Sequence, residues 1–174
     1  MISRKKLFLI ILDGPMGAGK TTVAKLLHPK LDRTAYIGLD RIKRYITGFR
    51  KVPSRNEVSR GVVAKMVEEY LRQRISVILD QSMSKEEISS YRRMGRKHGA
   101  KDHVFQLDAP RGILNSRIHL RTEELLKPRV TKAHIDRHYN DHLKRKYPAT
   151  VVFDSKAVSA RQIANRILKE LQRR

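Results

Sequence analysis

Gly14-Pro15-Met16-Gly17-Ala18-Gly19-Lys20-Thr21 matches the pattern G-x-x-x-x-G-K-[ST] at every fixed position. The chemistry that pattern serves is the binding of a phosphate chain. Its glycines let the backbone curl with the N–H groups pointing inward, and a helix N-terminus behind the loop adds a favourable dipole. Lys20 is expected to reach the β- and γ-phosphates, and the Thr21 hydroxyl to ligate Mg²⁺. Gly14, Pro15, Met16, Gly17, Ala18, Gly19, Lys20, Thr21 and Thr22 are therefore the candidate nucleotide-binding residues, with ATP or another nucleoside triphosphate as cofactor.

Three further groups have the type and spacing to complete a phosphoryl-transfer site. Asp80 ends the apolar run Ile75 to Leu79, the arrangement in which a carboxylate helps hold Mg²⁺ opposite Thr21. An aspartate there also forms turns readily. Asp40 is expected at the end of the second strand, after the run Thr34 to Gly38, facing the γ-phosphate as the base that accepts a proton from an acceptor hydroxyl. The same residue could instead cap the short helix beginning at Arg41. Lys43 and Arg44, one helical turn on, are candidates to grip an anionic acceptor. Arg117 and Arg121 stand at i, i+4, a like-charge spacing that weakens an isolated helix and is better explained by an anion between them.

These residues need elements to hold them in one place. Leu7 to Leu12 is continuously apolar, as a strand buried on both faces must be, and a helical pattern starts at Thr22. Strand signals recur at Thr34 to Gly38, Ile75 to Asp80, His103 to Leu107 and Thr150 to Phe153. Helical spacing fills the intervals: Val58 onward, Lys85 to His98, the stretch after Pro110, roughly Lys132 to Arg145, and the stripe Ile163, Ile167, Leu171. The alternation predicts an α/β fold, a doubly wound five-stranded parallel sheet with its ligand at the carboxyl ends of the strands. The second strand is expected to lie beside the first. The polar, proline-interrupted segment after the arginine pair predicts a helical lid over about residues 117–131.

Composition narrows the class. The 174 residues suit one domain spanning residues 1–174, and 40% apolar content suffices for one core. No apolar run approaches a membrane-spanning length. The N-terminal apolar run leads into the glycine loop rather than to a small-residue cleavage site, so no signal peptide is expected. The absence of cysteine is compatible with a cytoplasmic location. Lys and Arg number 39 against 17 Asp and Glu, a formal charge of +22. Self-repulsion of that size favours a polyanionic partner, here a nucleic acid.

Taken together, Gly14 to Thr21, Asp40 with its basic helix, Val77-Ile78-Leu79-Asp80-Gln81-Ser82, and Leu107-Asp108-Ala109-Pro110 leading to Arg117-Ile118-His119-Leu120-Arg121 are the marks of a known family. The chain resembles the P-loop kinases that include polynucleotide 5′-hydroxyl kinases, zeta toxins, chloramphenicol phosphotransferase and gluconate kinase. The resemblance implies a nucleoside-kinase-like P-loop NTPase fold and transfer of the γ-phosphate to an acceptor hydroxyl. It also implies a general base at Asp40, lid arginines at Arg117 and Arg121, and a nucleotide-base loop at Asp154 to Ala157. Many members carry arginine where this chain has Lys43, which supplies charge without a bidentate fork. Three functions fit: a kinase for the 5′-hydroxyl of RNA or DNA, a kinase for a sugar, nucleotide or antibiotic, and a nucleic-acid-binding ATPase switched by nucleotide. The charge, with Tyr45 and Phe49 available to stack on bases, favours the first.

Overall fold

Leu9, Ile10, Ile11 and Leu12 are apolar on both faces of their strand, so the strand is stable only where both faces are covered. The computed structural model, which describes residues 6–124, 131–144 and 147–173, covers them completely. Strand β1 (Phe8–Asp13) is the middle of a five-stranded parallel sheet. It is flanked by β3 (Ser76–Asp80) and β4 (Lys101–Asp108), with β2 (Thr34–Gly38) outside β3 and β5 (Val151–Asp154) outside β4. The doubly wound α/β architecture expected from the alternation is the one observed.

The expected position of the second strand is not. β3 lies between β2 and β1, pairing Gly38 with Asp80 on one side and Ile11 with Leu79 on the other. Sequential strands are only usually neighbours, and the crossover through helix α1 (Lys20–Leu27) reaches over one strand. The segment that begins after β2 therefore stands beside the end of β3, one strand further from the phosphate loop than expected.

Alternation along the strands sends their side chains into two cores. Leu9, Ile11, Val77, Leu79 and Val104 meet helices α2 (Leu39–Lys43), α3 (Arg55–Arg72) and α4 (Lys85–Lys97). Ile10, Leu12, Ile78, Phe105, Leu107 and Phe153 meet α1, helix α5 (Arg111–Glu124) and helix α7 (Ala160–Gln172). The stripe Ile163, Ala164, Ile167 and Leu171 is the buried side of α7. Helix α6 (Lys132–Leu143) follows α5 in the chain, and the ion pair of Arg111 with Asp136 ties the two. Residues 125–130, the middle of the expected lid, lie outside the described residues.

Local signals set the helix ends. Ser84 accepts a hydrogen bond from the Glu87 N–H while Glu87 accepts one from the Ser84 N–H, and Ser159 with Gln162 repeats the exchange at α7. At the end of α4 the chain turns through Gly99 at φ +72°.

One buried polar group in the sheet has a consequence for stability. His103 in β4 is buried and stacked on Phe105, with ring centroids 6.0 Å apart. Burial, then the charge of Lys101, lowers its pKa below the ordinary 6.5. The native protein thus binds this proton less readily than the unfolded chain. His103 contributes stability that is fully present above about pH 6.5 and is lost as the pH falls below it. In urea unfolding, the wild type is expected to lose more stability between neutral pH and the pH just above carboxylate titration than His103→Phe does. Equal losses would remove His103 from the account.

Candidate active site

The phosphate loop is fixed by what its glycines touch. Gly14 has φ +148°, and a Cβ there would stand 2.2 Å from the carbonyl oxygen of Leu107, so the first turn of the loop closes directly on β4. Gly17 has φ +83°, and a Cβ there would meet the Leu114 carbonyl at 3.0 Å and the Ile118 side chain at 3.1 Å. The loop is thereby packed against α5, the helix that carries Arg117 and Arg121. Lys20 begins α1, and its ammonium donates to the carbonyl oxygens of Gly14 at 2.8 Å and Pro15 at 3.0 Å. It lies along the loop, as a cation meant to meet phosphate oxygens must.

Thr21 and Asp80, far apart in sequence, are brought into contact. The Thr21 hydroxyl donates to Asp80 Oδ2 at 2.7 Å, and the Tyr36 hydroxyl donates to the same oxygen at 3.0 Å. Burial and the adjacent carboxylate push the Tyr36 phenol well above its usual pKa, so it remains a donor. A hydroxyl and one carboxylate form an all-oxygen set that suits Mg²⁺, a hard cation that keeps water and phosphate as its other ligands.

Beneath the loop lies a group that sequence reasoning missed. Asp13, the last residue of β1, has no solvent exposure. Its Oδ1 accepts the Met83 N–H at 2.9 Å, and its Oδ2 accepts the Tyr147 hydroxyl. His142 of α6 stands beside it, with Nδ1 4.0 Å from Asp13 Oδ2 and Nε2 2.6 Å from Asp108 Oδ1 at the end of β4. Burial raises the pKa of Asp108, but the hydrogen bonds from His142 and Gln106 outweigh it and hold this carboxyl below the usual range. Asp108, His142 and Pro15 line a cleft of about 340 Å³ together with Pro110, Tyr139 and Asp154. Ser82 completes the support, its hydroxyl donating to the Gly14 carbonyl at 2.8 Å. The available signal was an acid placed at the end of an otherwise apolar strand.

Asp40 is not at a strand end. β2 stops at Gly38, α2 starts at Leu39, and Asp40 is the second residue of that helix, so it does not cap it either. Its side chain is 82% exposed, with Lys43 Nζ 3.6 Å from Oδ1. The Lys43 ammonium also sits over the Phe49 ring, 6.0 Å from its centroid. Arg44 follows α2 and is exposed. Because Gly38 is in register with Asp80, this acidic and basic group flanks the Thr21–Asp80 contact.

Arg117 is engaged away from the phosphate loop. Its guanidinium donates to Ser155 Oγ at 3.0 Å and to the Ser155 carbonyl at 2.6 Å, docking α5 on the loop after β5. Arg121 lies one turn further along α5; its side chain is outside the described residues. Lys20, Thr21 and Asp80 thus converge at the carboxyl ends of β1 and β3, with Asp40 and Lys43 on one flank and Arg117 on the other.

Known structures share this frame. The shikimate kinase of Acinetobacter baumannii, solved in complex with shikimate, is 26% identical and aligns 95% of this chain with 93% of its own, at a TM-score of 0.61. Kti12 of Chaetomium thermophilum, in complex with ADP-AlF3, is 17% identical over 92% of this chain and 97% of its own, with a TM-score of 0.70. A chain of the Pnkp1/Rnl/Hen1 RNA repair complex is 22% identical over 79% of this chain and 44% of that larger one, with a TM-score of 0.68. No curated protein matches the sequence. Among the described residues no helix is long and apolar enough to cross a membrane. Residues 9–143 match the AAA_33 family, described as an AAA domain, and the chain belongs to that family, with the fold of the P-loop kinases.

Proposed function

We propose that the protein is a kinase that moves the γ-phosphate of ATP to the 5′-hydroxyl of an RNA or DNA strand. The observation that carries this reading is the exposed Asp40 with Lys43 3.6 Å away, on the helix that follows β2, whose last residue Gly38 is in register with Asp80. A base for an acceptor must be open to it, and a nucleotide-dependent switch has no use for one.

Each group then has a role. The N–H groups of Gly14 to Thr22 cradle the phosphates, and Lys20 turns from its loop carbonyls to the β- and γ-phosphate oxygens. Thr21 and Asp80 would hold Mg²⁺, which draws off negative charge from those oxygens. Asp40 takes the proton of the acceptor hydroxyl as its oxygen bonds to the γ-phosphorus. The bond to the β,γ-bridging oxygen breaks, and the nucleoside diphosphate leaves. Lys43 and Arg44 bind the acceptor's nearest phosphate. Arg117 encloses the nucleotide by holding the loop at Ser155, and Arg121 contacts its phosphates in the closed lid.

The choice of acceptor rests on charge and shape. In the segment that follows Asp40, Arg44, Lys51 and Arg55 are exposed, and so is Tyr45, at 74%. Cations that track a backbone and an aromatic ring on which a base can stack are the ordinary equipment of single-strand binding. The structural kinship with the RNA repair complex agrees with it. A small-molecule acceptor is the second reading, favoured by the likeness to shikimate kinase.

Incubation with labelled ATP and, in parallel, 5′-hydroxyl oligonucleotides, sugars and nucleosides separates the two. Label on the oligonucleotide is the expected result, and label only on a small molecule overturns the acceptor assignment. Lys20→Ala is expected to lower turnover about 10²–10³-fold, since it removes a charge aimed at the transition state; near-normal turnover would remove Lys20 from the site. Asp40→Asn should lower kcat about 10²–10⁴-fold with ATP affinity nearly unchanged. Parallel loss of ATP binding in a titration would make Asp40 a structural or metal residue instead. For Arg117→Ala we expect the KM for ATP to rise about tenfold, with kcat falling less, because the loop at Ser155 loses its anchor. Unchanged constants in steady-state kinetics would return Arg117 to a purely structural role.

A further inference from the structure

In a chain of charge +22, the ion pairs among the described residues are not spread evenly over the fold. On the α3–α4 side of the sheet four cations have carboxylate partners, Arg60 with Glu87, Arg72 with Glu69 at 2.8 Å, Arg92 with Asp102 at 3.0 Å and Lys97 with Glu68 at 3.1 Å, beside the exposed Lys65, Lys85, Arg93 and Arg96. The opposite layer, α1 packed on α7, is different. Lys25, Lys30, Arg161, Arg166, Lys169 and Arg173 are all exposed there. Only Arg173 has an ion-pair partner among the described residues, Glu170 of its own helix. Lys30 donates to the Asn165 amide at 3.2 Å, and Arg166 lies over the Phe153 ring, 5.4 Å from its centroid.

Lys169 in the last turn of α7 suits the helix dipole, but the other placements are unfavourable to the helix. Arg166 and Lys169, and Lys169 and Arg173, are like-charge neighbours on one face. Arg161 is in the first turn of α7, where the helix dipole repels a cation, and that turn holds no acid to offset it. An anion laid over this face would reverse every one of these terms at once. None of the large apolar residues that are exposed elsewhere, such as Tyr45 or Val58, belongs to α1 or α7. That argues against a lipid surface, whose binding helices put apolar residues beside basic ones.

We propose that the outer face of α1 and α7 is a second nucleic-acid surface, which holds the sugar–phosphate backbone of the strand at a distance from its reacting 5′ end. This rests on the polynucleotide reading above. The contacts are to phosphates, so they give affinity and placement without sequence preference. Polar neighbours able to bond sugar or phosphate, Asn165 and Gln162, lie on the same side of α7 and are exposed.

The test uses single-stranded RNA about 20 nucleotides long, longer than one binding fold occupies. The RNA carries a 5′-phosphate and so has no 5′ acceptor. Binding is followed by fluorescence anisotropy over a salt series for the wild type and for a variant combining Lys25→Ala, Arg161→Ala and Lys169→Ala. Removal of three phosphate contacts should flatten the slope of log affinity against log salt by about 2 and weaken binding about tenfold at moderate salt. A charge-conserving set, Lys25→Arg, Arg161→Lys and Lys169→Arg, should keep the wild-type slope, and kcat and KM for a 5′-hydroxyl dinucleotide should be unchanged in all three proteins. Wild-type affinity and slope in the alanine variant overturn the proposal. So does loss of binding to phosphatidylserine vesicles with RNA binding intact. If 5′-hydroxyl strands are never phosphorylated while the alanine variant loses RNA binding, the acceptor reading fails and this surface stands. If they are phosphorylated and the variant binds as wild type does, the reverse holds.

Discussion

Asp13 has no access to water, and a carboxyl so placed persists only when its oxygens are matched by donors. Here the Met83 N–H and the Tyr147 hydroxyl supply them, and His142 stands at its side. The two donors come from separate parts of the chain, the loop after β3 and the stretch before β5. Each must be in register for the carboxyl to be satisfied, and the next residue along is Gly14. The position of the phosphate loop is thus set from below by one buried acid, and from above by the contact of Gly17 with α5. Leaving one of these buried groups without its partner costs about 1–3 kcal/mol, which adds to the hydrogen bonds of the loop itself.

How much of this could be read in the chain depends on how local the information is. The phosphate loop was legible because eight consecutive residues specify both its backbone and its chemistry. Asp80 was legible because the run before it is buried on both faces and must end at the edge where ligands bind. The strand order was not, since three apolar runs look alike and nothing in them names a neighbour. A hint existed in the β2 run Thr34-Ala35-Tyr36-Ile37-Gly38, which is less continuously apolar than the strands buried on both faces. Arg117 shows another limit. Helical spacing gives the face a side chain shares, but only the fold puts Ser155 within its reach. Asp13, Asp108 and His142 come together from the ends of two strands and a later helix, so no spacing rule joins them.

The site divides along the sheet. The residues expected to handle the nucleotide belong to β1, α1, α5 and the ends of β3 and β5, all in the middle of the molecule or tied to it. Those expected to meet the acceptor, Asp40, Lys43 and Arg44, ride on α2 at the margin. One side chain joins the halves: Tyr36 reaches from β2 to the carboxylate that Thr21 also contacts. A shift of β2 would therefore be felt at Asp80.

Placing β2 outside β3 also bears on how such a protein can change over evolutionary time. An edge strand has one partner, and beyond the buried Leu39 and Ile42 most of the described residues from Arg44 to Arg55 are exposed. Insertions, deletions and new side chains at these exposed positions leave the buried residues of both cores in place. The nucleotide half can stay as it is while the other half is rewritten. A lineage with this layout can exchange one acceptor for another by small steps, each of which leaves a folded protein.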